Sequence, residues 1–175
     1  MNRPCPPVFV REYPAPTDEP RLQAKHAASV LQYHFVMSTW GRRGVFSRDA
    51  AESVAENWRR LELEQCFALC KVSFVPDHVH LAVRVHPSVS PARLFVHLMN
   101  DAQQNVWARF SQNVVRAAVE RLWQSSGYIG SYGQLASPQI GRYIASGKPA
   151  PARSIEREDH GASPWHRSAC CSAAE

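Results

Sequence analysis

An α+β sandwich, an antiparallel sheet covered by helices on one face, is the fold class this sequence predicts, and three observations predict it. Runs of β-branched and aromatic residues take turns along the chain with segments of helical apolar period. Three of the helical segments open on a serine placed as an N-cap. The chain of 175 residues, 45% of them hydrophobic, suffices for one real core and is short for two domains, so one domain with tails is expected.

The elements follow in order. Residues 1–30 open with "MNRPCPPVFVREYPAPTDEPRLQAKH", which prolines punctuate and which lacks helical or alternating period, so an extended Pro-rich arm is expected. "LQYHFVMST", residues 31–39, has the content of a strand, and "WGRRG" after it is a basic turn. Ser47 then caps a helix carried by Ala50, Ala51, Val54, Trp58 and Leu61 to about Gln65. "CKVSFV" is a second strand with Cys70, Val72 and Phe74 on one face and Lys71 and Ser73 on the other. After the break "PD", the stretch "HVHLAVRVH" alternates more cleanly still as a third.

Ser90 and Pro91 are an N-cap followed by proline at the first helical position, and Leu94, Phe95, Leu98, Ala102, Val106 and Phe110 give the long helix one stripe. Leu122 to Tyr132 is extended, with glycines at bends or bulges. Ser137 and Pro138 repeat the cap, and a short helix "QIGRYIAS" runs until Gly147. From Lys148 the chain is polar and rich in proline and alanine, and a disordered tail over 148–175 is expected. Strand, helix, strand, strand, helix, strand and a short helix is the order of a ferredoxin-like, or RRM-like, sandwich whose second sheet face is left open.

That open face gives the third strand its meaning. Val79, Leu81, Val83 and Val85 form a continuous apolar face, while His78, His80, Ala82, Arg84 and His86 form the other. Both imidazoles then project together from one rigid strand, a geometry suited to one divalent ion, although a bare pair is equally the wet side of a half-buried sheet.

Composition narrows the partner. Formal net charge is +5, and the basic side chains are nearly all arginine, since only Lys25, Lys71 and Lys148 are lysine. A guanidinium grips phosphate through two directed hydrogen bonds, so nucleic acid is favoured over a membrane surface. No long uncharged apolar run and no charged-then-apolar leader occurs, so a cytoplasmic protein without a membrane span is expected. Five cysteines fit a reducing compartment. Cys66, Cys70, Cys170 and Cys171, with His160 and His166, show no standard zinc spacing, and a buried thiol pair at Cys66 and Cys70 is the simpler expectation.

"VPDHVHLAV" together with "YHFVMSTWGRRGVF" resembles the single-tyrosine HUH transposases, transposase A type, of the smallest bacterial insertion sequences. The resemblance continues through "SVSPARLFVHLMNDAQQNVW" and "LWQSSGYIGSYGQLASPQIGRYIAS", and it covers roughly residues 31–147, the whole candidate catalytic domain. It implies that His78 and His80 bind a divalent metal, Mg2+ or Mn2+, and that Tyr143 is the nucleophile. Tyr143 is then expected to attack single-stranded DNA carrying subterminal hairpins and to leave a 5′-phosphotyrosine and a free 3′ hydroxyl. A homodimer is implied as well, in which the tyrosine helix of one subunit can reach the histidines of the other.

One position departs from the family's pattern. A glutamine one helical turn after the tyrosine is expected to complete the metal site, and Gly147 stands there. Gln139, one turn before Tyr143 on the same face, is a substitute ligand. Asp77 is another, or it orients an imidazole. A degenerate or domesticated relative that binds hairpin DNA or RNA without cleavage is therefore the alternative. A histidine-based nucleotide hydrolase of the histidine-triad type would need a further histidine at Ala82.

Other residues have softer expectations. Arg42, Arg43, Lys71 and Arg84 are candidates for a phosphate track. Trp40 and Trp107 are base platforms or core, and Tyr128 and Tyr132 are base platforms or packing residues. His34 is expected to make a structural hydrogen bond, and Lys148 to touch phosphate or begin the tail.

Overall fold

The chain is described from a computed structural model, which covers residues 6–14, 19–26, 29–132, 142 and 144–146. Strands β1 (Phe9–Glu12), β2 (Leu31–Thr39), β3 (Phe67–Val75), β4 (His78–Val85) and β5 (Trp123–Ser131) form one sheet in the order β1-β3-β4-β2-β5. Every pairing in it is antiparallel. Helices α1 (Arg48–Leu61) and α2 (Pro91–Arg109) connect β2 to β3 and β4 to β5, with a short α3 (Ser111–Ala117) after α2. Without β1 this is the ferredoxin-like sandwich that the sequence predicts.

The alternation in β4 sorts its residues as expected. Val79, Leu81 and Val83 are fully buried and Val85 nearly so, and they meet Phe35 of β2 and Phe67, Leu69, Val72 and Phe74 of β3 in a single core. Each such side chain taken from water contributes roughly 1.5–3 kcal/mol. Trp58 of α1 lies flat against Phe74, centroids 5.7 Å apart, and its indole N–H donates to the Leu98 carbonyl of α2 at 3.1 Å. Phe95 of α2 meets Phe35 edge to face at 5.4 Å. Two of the three expected serine caps lie among the described residues and form: Ser47 Oγ accepts from the Ala50 amide at 3.3 Å and Ser90 Oγ from the Arg93 amide at 3.4 Å.

Several local features differ from the sequence reading, among them the start of β3, at Phe67 rather than Cys70. Part of the Pro-rich arm is strand β1, paired with Lys71 to Phe74, because the outer edge of β3 has free backbone groups and Phe9 can bury against Phe74. The first helix ends at Leu61 rather than Gln65. The long helix stops at Arg109, and α3 follows after Phe110 leaves helical geometry (φ −131°, ψ 37°) without any proline or glycine to announce it. In β3 the register shifts between Leu69 and Lys71, so Cys70 is a bulge residue and does not continue the face of Val72 and Phe74. Cys66 and Cys70 are both free and only half-buried, so they are not the buried thiol pair expected.

At the C-terminal end, Arg142 and Ile144 to Ser146 are helical and Ile144 is fully buried. Ser137, Pro138, Gln139, Tyr143, Gly147, Lys148, His160, His166, Cys170 and Cys171 lie outside the described residues. Among the described residues, no helix is long and apolar enough to cross a membrane.

Candidate metal and nucleic-acid site

β4 lies between β3 and β2, and this sets the surroundings of the histidine pair. His78 faces Val75 on one side and Ser38 on the other, and His80 faces Ser73 and Val36. The sequence places both imidazoles on a wet face, but His78 is 2% exposed and His80 is fully buried. The correction has a geometric reason: on a central strand, side chains of both neighbours flank a ring, here the buried Ser73, Val75, Val36 and His34. The two rings are 5.0 Å apart between centroids and inclined at 75°.

Each ring is held on its Nδ1 side. His78 Nδ1 lies 2.6 Å from Asp77 Oδ1, which places a proton on Nδ1 and leaves the Nε2 lone pair bare. His78 Nε2 is buried and has no hydrogen-bond partner among the described residues. His80 Nδ1 lies 3.2 Å from His34 Nε2, and the two rings stack at 5.4 Å and 11°. Burial lowers the His34 pKa to about 4, so His34 is neutral at physiological pH and can accept from His80. The structural hydrogen bond expected of His34 is therefore one to the histidine pair itself. The signal was in the register, since position 34 is on the same face of β2 as His80 is of β4.

Asp77 is held in turn. Its Oδ2 lies 2.9 Å from Arg42 Nε, while Arg42 Nη1 donates to Ser38 Oγ at 2.9 Å. Burial raises the Asp77 pKa, but the His78 hydrogen bond and the Arg42 guanidinium charge outweigh it, and the net shift is downward. Thr39, fully buried, ties the turns together: its amide and hydroxyl both donate to the Asp77 carbonyl at 2.9 Å, and the hydroxyl is also 2.6 Å from the Arg43 carbonyl.

A divalent cation fits these residues. A buried imidazole nitrogen without a partner among the described residues, beside a second imidazole, each ring fixed from behind by a hydrogen-bonding group, is a donor arrangement that intermediate cations accept. Among the described residues no cluster of three or more His, Cys, Asp and Glu is arranged to hold a metal, so further ligands would have to be of another kind or lie outside that set.

The candidate phosphate contacts differ in surroundings. Arg42 and Arg43 are exposed in the turn after β2. Lys71 is paired with Glu12 of β1, and Arg84 is 4% exposed with Nη2 3.5 Å from the Ser29 carbonyl. Trp40 is 38% exposed with the Arg121 guanidinium over its ring at 3.4 Å, while Trp107 packs partly buried against the core. Tyr128 is 39% exposed and meets His34 edge-on at 5.7 Å. Burial pushes the Tyr132 phenol far above its ordinary pKa, which makes it a poor nucleophile.

By architecture the protein is a ferredoxin-like α+β domain with a His-Val-His strand at its centre. Residues 27–147 match the family model described as transposase, IS200-like, and the chain belongs to that family. Among solved structures it is similar to a Deinococcus radiodurans protein assigned as a transposase, at 20% identity and a TM-score of 0.58, over 73% of this chain and 98% of that one. It is also similar to a REP-associated tyrosine transposase bound to a REP hairpin, at 10% identity and a TM-score of 0.46, over 69% of this chain and 70% of that one. No curated protein matches the sequence.

Proposed function

We propose that this transposase cuts and rejoins single-stranded DNA through a covalent tyrosine intermediate, using a divalent metal held by His78 and His80. Family membership makes the protein a transposase. The observation that carries the finer reading is His78 Nε2, a buried imidazole nitrogen on the rigid central strand that has no hydrogen-bond partner among the described residues and lies next to a second imidazole. A bare polar atom in that position costs stability unless something binds it.

Tyr143 is the proposed nucleophile. Its phenolate oxygen forms a bond to the scissile phosphorus, the bond from phosphorus to the 3′ oxygen breaks, and the departing 3′ oxygen takes up a proton. The phosphotyrosine retains the phosphodiester's energy, so rejoining needs no external source. Phenol has a pKa of about 10 and needs help to ionise at neutral pH. Mg2+ or Mn2+, when bound, would supply charge that polarises the phosphate and stabilises the leaving oxygen. His78 and His80 would hold and orient that ion, with Gln139 as a further proposed ligand, while Asp77 and His34 fix the imidazoles. Arg43, Lys71 and Arg84 are the remaining candidates along the DNA backbone. The substrate is cytoplasmic single-stranded DNA with subterminal hairpins, and the working unit is a homodimer, which the place of β5 at the end of the sheet among the described residues supports.

The test is incubation of hairpin-bearing single-stranded DNA with Mn2+ and the protein. A covalent adduct is expected, and it should vanish in Tyr143→Phe and in His78→Ala. An adduct that survives Tyr143→Phe removes the nucleophile assignment. Gly147, at the place of the family's glutamine, favours one second reading, a relative that binds hairpin DNA or RNA without cutting. Tight hairpin binding with no adduct in Mg2+, Mn2+ or Co2+ would decide for it.

A further inference from the structure

We infer that Arg42 is a positioning residue for the histidine pair and not a ligand of DNA phosphate: it clamps Asp77, and Asp77 holds His78 in the tautomer whose Nε2 lone pair is bare. The inference deepens the proposed metal site and rests on it wherever metal affinity is the readout.

The Asp77 carboxylate is used on both sides. Oδ1 takes His78 Nδ1 at 2.6 Å and Oδ2 takes Arg42 Nε at 2.9 Å, so the carboxylate is braced between the two. A carboxylate held at one oxygen only can rotate about its side-chain torsion, and a second bond on the opposite oxygen removes that freedom. Arg42 is itself fixed at a second point, with Nη1 on Ser38 Oγ at 2.9 Å. Ser38 lies opposite His78 in the β2–β4 register, so the clamp spans the end of the strand that carries the histidines.

The backbone offers an independent observation. Gly41 and Arg42 are both left-handed, with φ of 60° and 55°. Glycine adopts that conformation freely, but arginine does so only against steric resistance, and such residues gather where a site demands a particular side-chain direction. The turn is also stitched to the Pro76–Asp77 hairpin, through Thr39 on the Asp77 carbonyl and through the amides of Val45 and Phe46 on the Pro76 carbonyl. Arg43 next door is also exposed but makes no side-chain hydrogen bond or ion pair among the described residues, which leaves it available to phosphate.

The experiment uses the full chain labelled with 15N, free of metal, and then titrated with Mn2+. In the wild type, long-range proton–nitrogen spectra should show His78 with its proton on Nδ1. Arg42→Gln should turn that into a tautomer mixture and weaken Mn2+ binding, measured calorimetrically, by about tenfold. Arg42→Lys, which keeps a charge near Asp77, should recover part of both. Arg43→Gln should leave the His78 tautomer and Mn2+ affinity unchanged while weakening single-stranded DNA binding and its salt dependence. The inference is overturned if Arg42→Gln and Arg42→Lys keep the wild-type His78 spectrum and weaken only DNA binding. If the wild type takes up no Mn2+, the metal reading fails, and the metal-free tautomer spectra still decide whether Arg42 acts through Asp77.

Discussion

At Cys70 the bulge between Leu69 and Lys71 brings the thiol within electrostatic reach of Arg84 and Glu62, and burial pushes its pKa from 9.0 up to about 11. A thiol whose pKa rises on folding contributes stability that is complete below its ordinary pKa and is lost as pH climbs toward the folded value. Unfolding free energy from urea titrations should therefore fall between about pH 9 and about pH 11, by at most about 1.4 kcal/mol per pH unit from this group. In Cys70→Ala that share of the slope should be gone. Glycines 127 and 130 make a contrasting pair. A Cβ on Gly127 would overlap the Phe95 ring and lie 2.7 Å from the Val36 carbonyl oxygen, so both a core ring and backbone of the paired strand resist it. Gly127→Ala should cost about 1–3 kcal/mol in the same titration. At Gly130 the obstacle is the Tyr128 ring, which can swing away, and Gly130→Ala should cost clearly less.

Among the elements, α1 is the most legible from sequence, because cap and stripe agree, although the helix ends at Leu61 rather than Gln65. Ser47 Oγ accepts from the Ala50 amide and also from Asn113 Nδ2 of α3 at 3.1 Å, so one hydroxyl joins two helices. Ser47→Ala should lower the thermal and urea stability by about 1 kcal/mol, with α3 loosened as well. β4 is legible through its alternation, β2 through its β-branched and aromatic content, and β5 as an extended stretch punctuated by glycines. β1 and α3 are not. Phe9 to Glu12 lies in a proline-rich context and becomes a strand only because β3 offers an edge, while the break at Phe110 and the left-handed end at Ala118 (φ 50°) carry no glycine. Both depend on contacts distant in sequence, which a local pattern does not contain.

On the scale of the whole molecule, β5 is an outer strand among the described residues, with Tyr128 39% and Ile129 38% exposed. An exposed apolar edge strand is a surface on which a second copy can pair, and a two-fold arrangement closes it. If the proposed homodimer uses that edge, light scattering at micromolar concentration should give twice the chain mass, and Ile129→Lys should halve it. A mass unchanged by Ile129→Lys would place the dimer face elsewhere. Tyr143, on which the proposed chemistry turns, was singled out from sequence by resemblance, and its geometry against His78 and His80 lies outside the described residues.

The sequence by itself determined the sandwich, the inward face of β4 and the placing of His78 and His80 on its other face, because a period of two along a strand is a local property of the chain. Only the tertiary structure decided how those imbalances of polarity are resolved. It buried both imidazoles by setting β4 between β3 and β2, brought His34 from 46 residues away against His80, and turned Arg42 back onto Asp77. The physical reason is that a hydrogen bond's worth depends on which groups share one dry pocket, and partners distant in sequence meet only when the sheet is assembled.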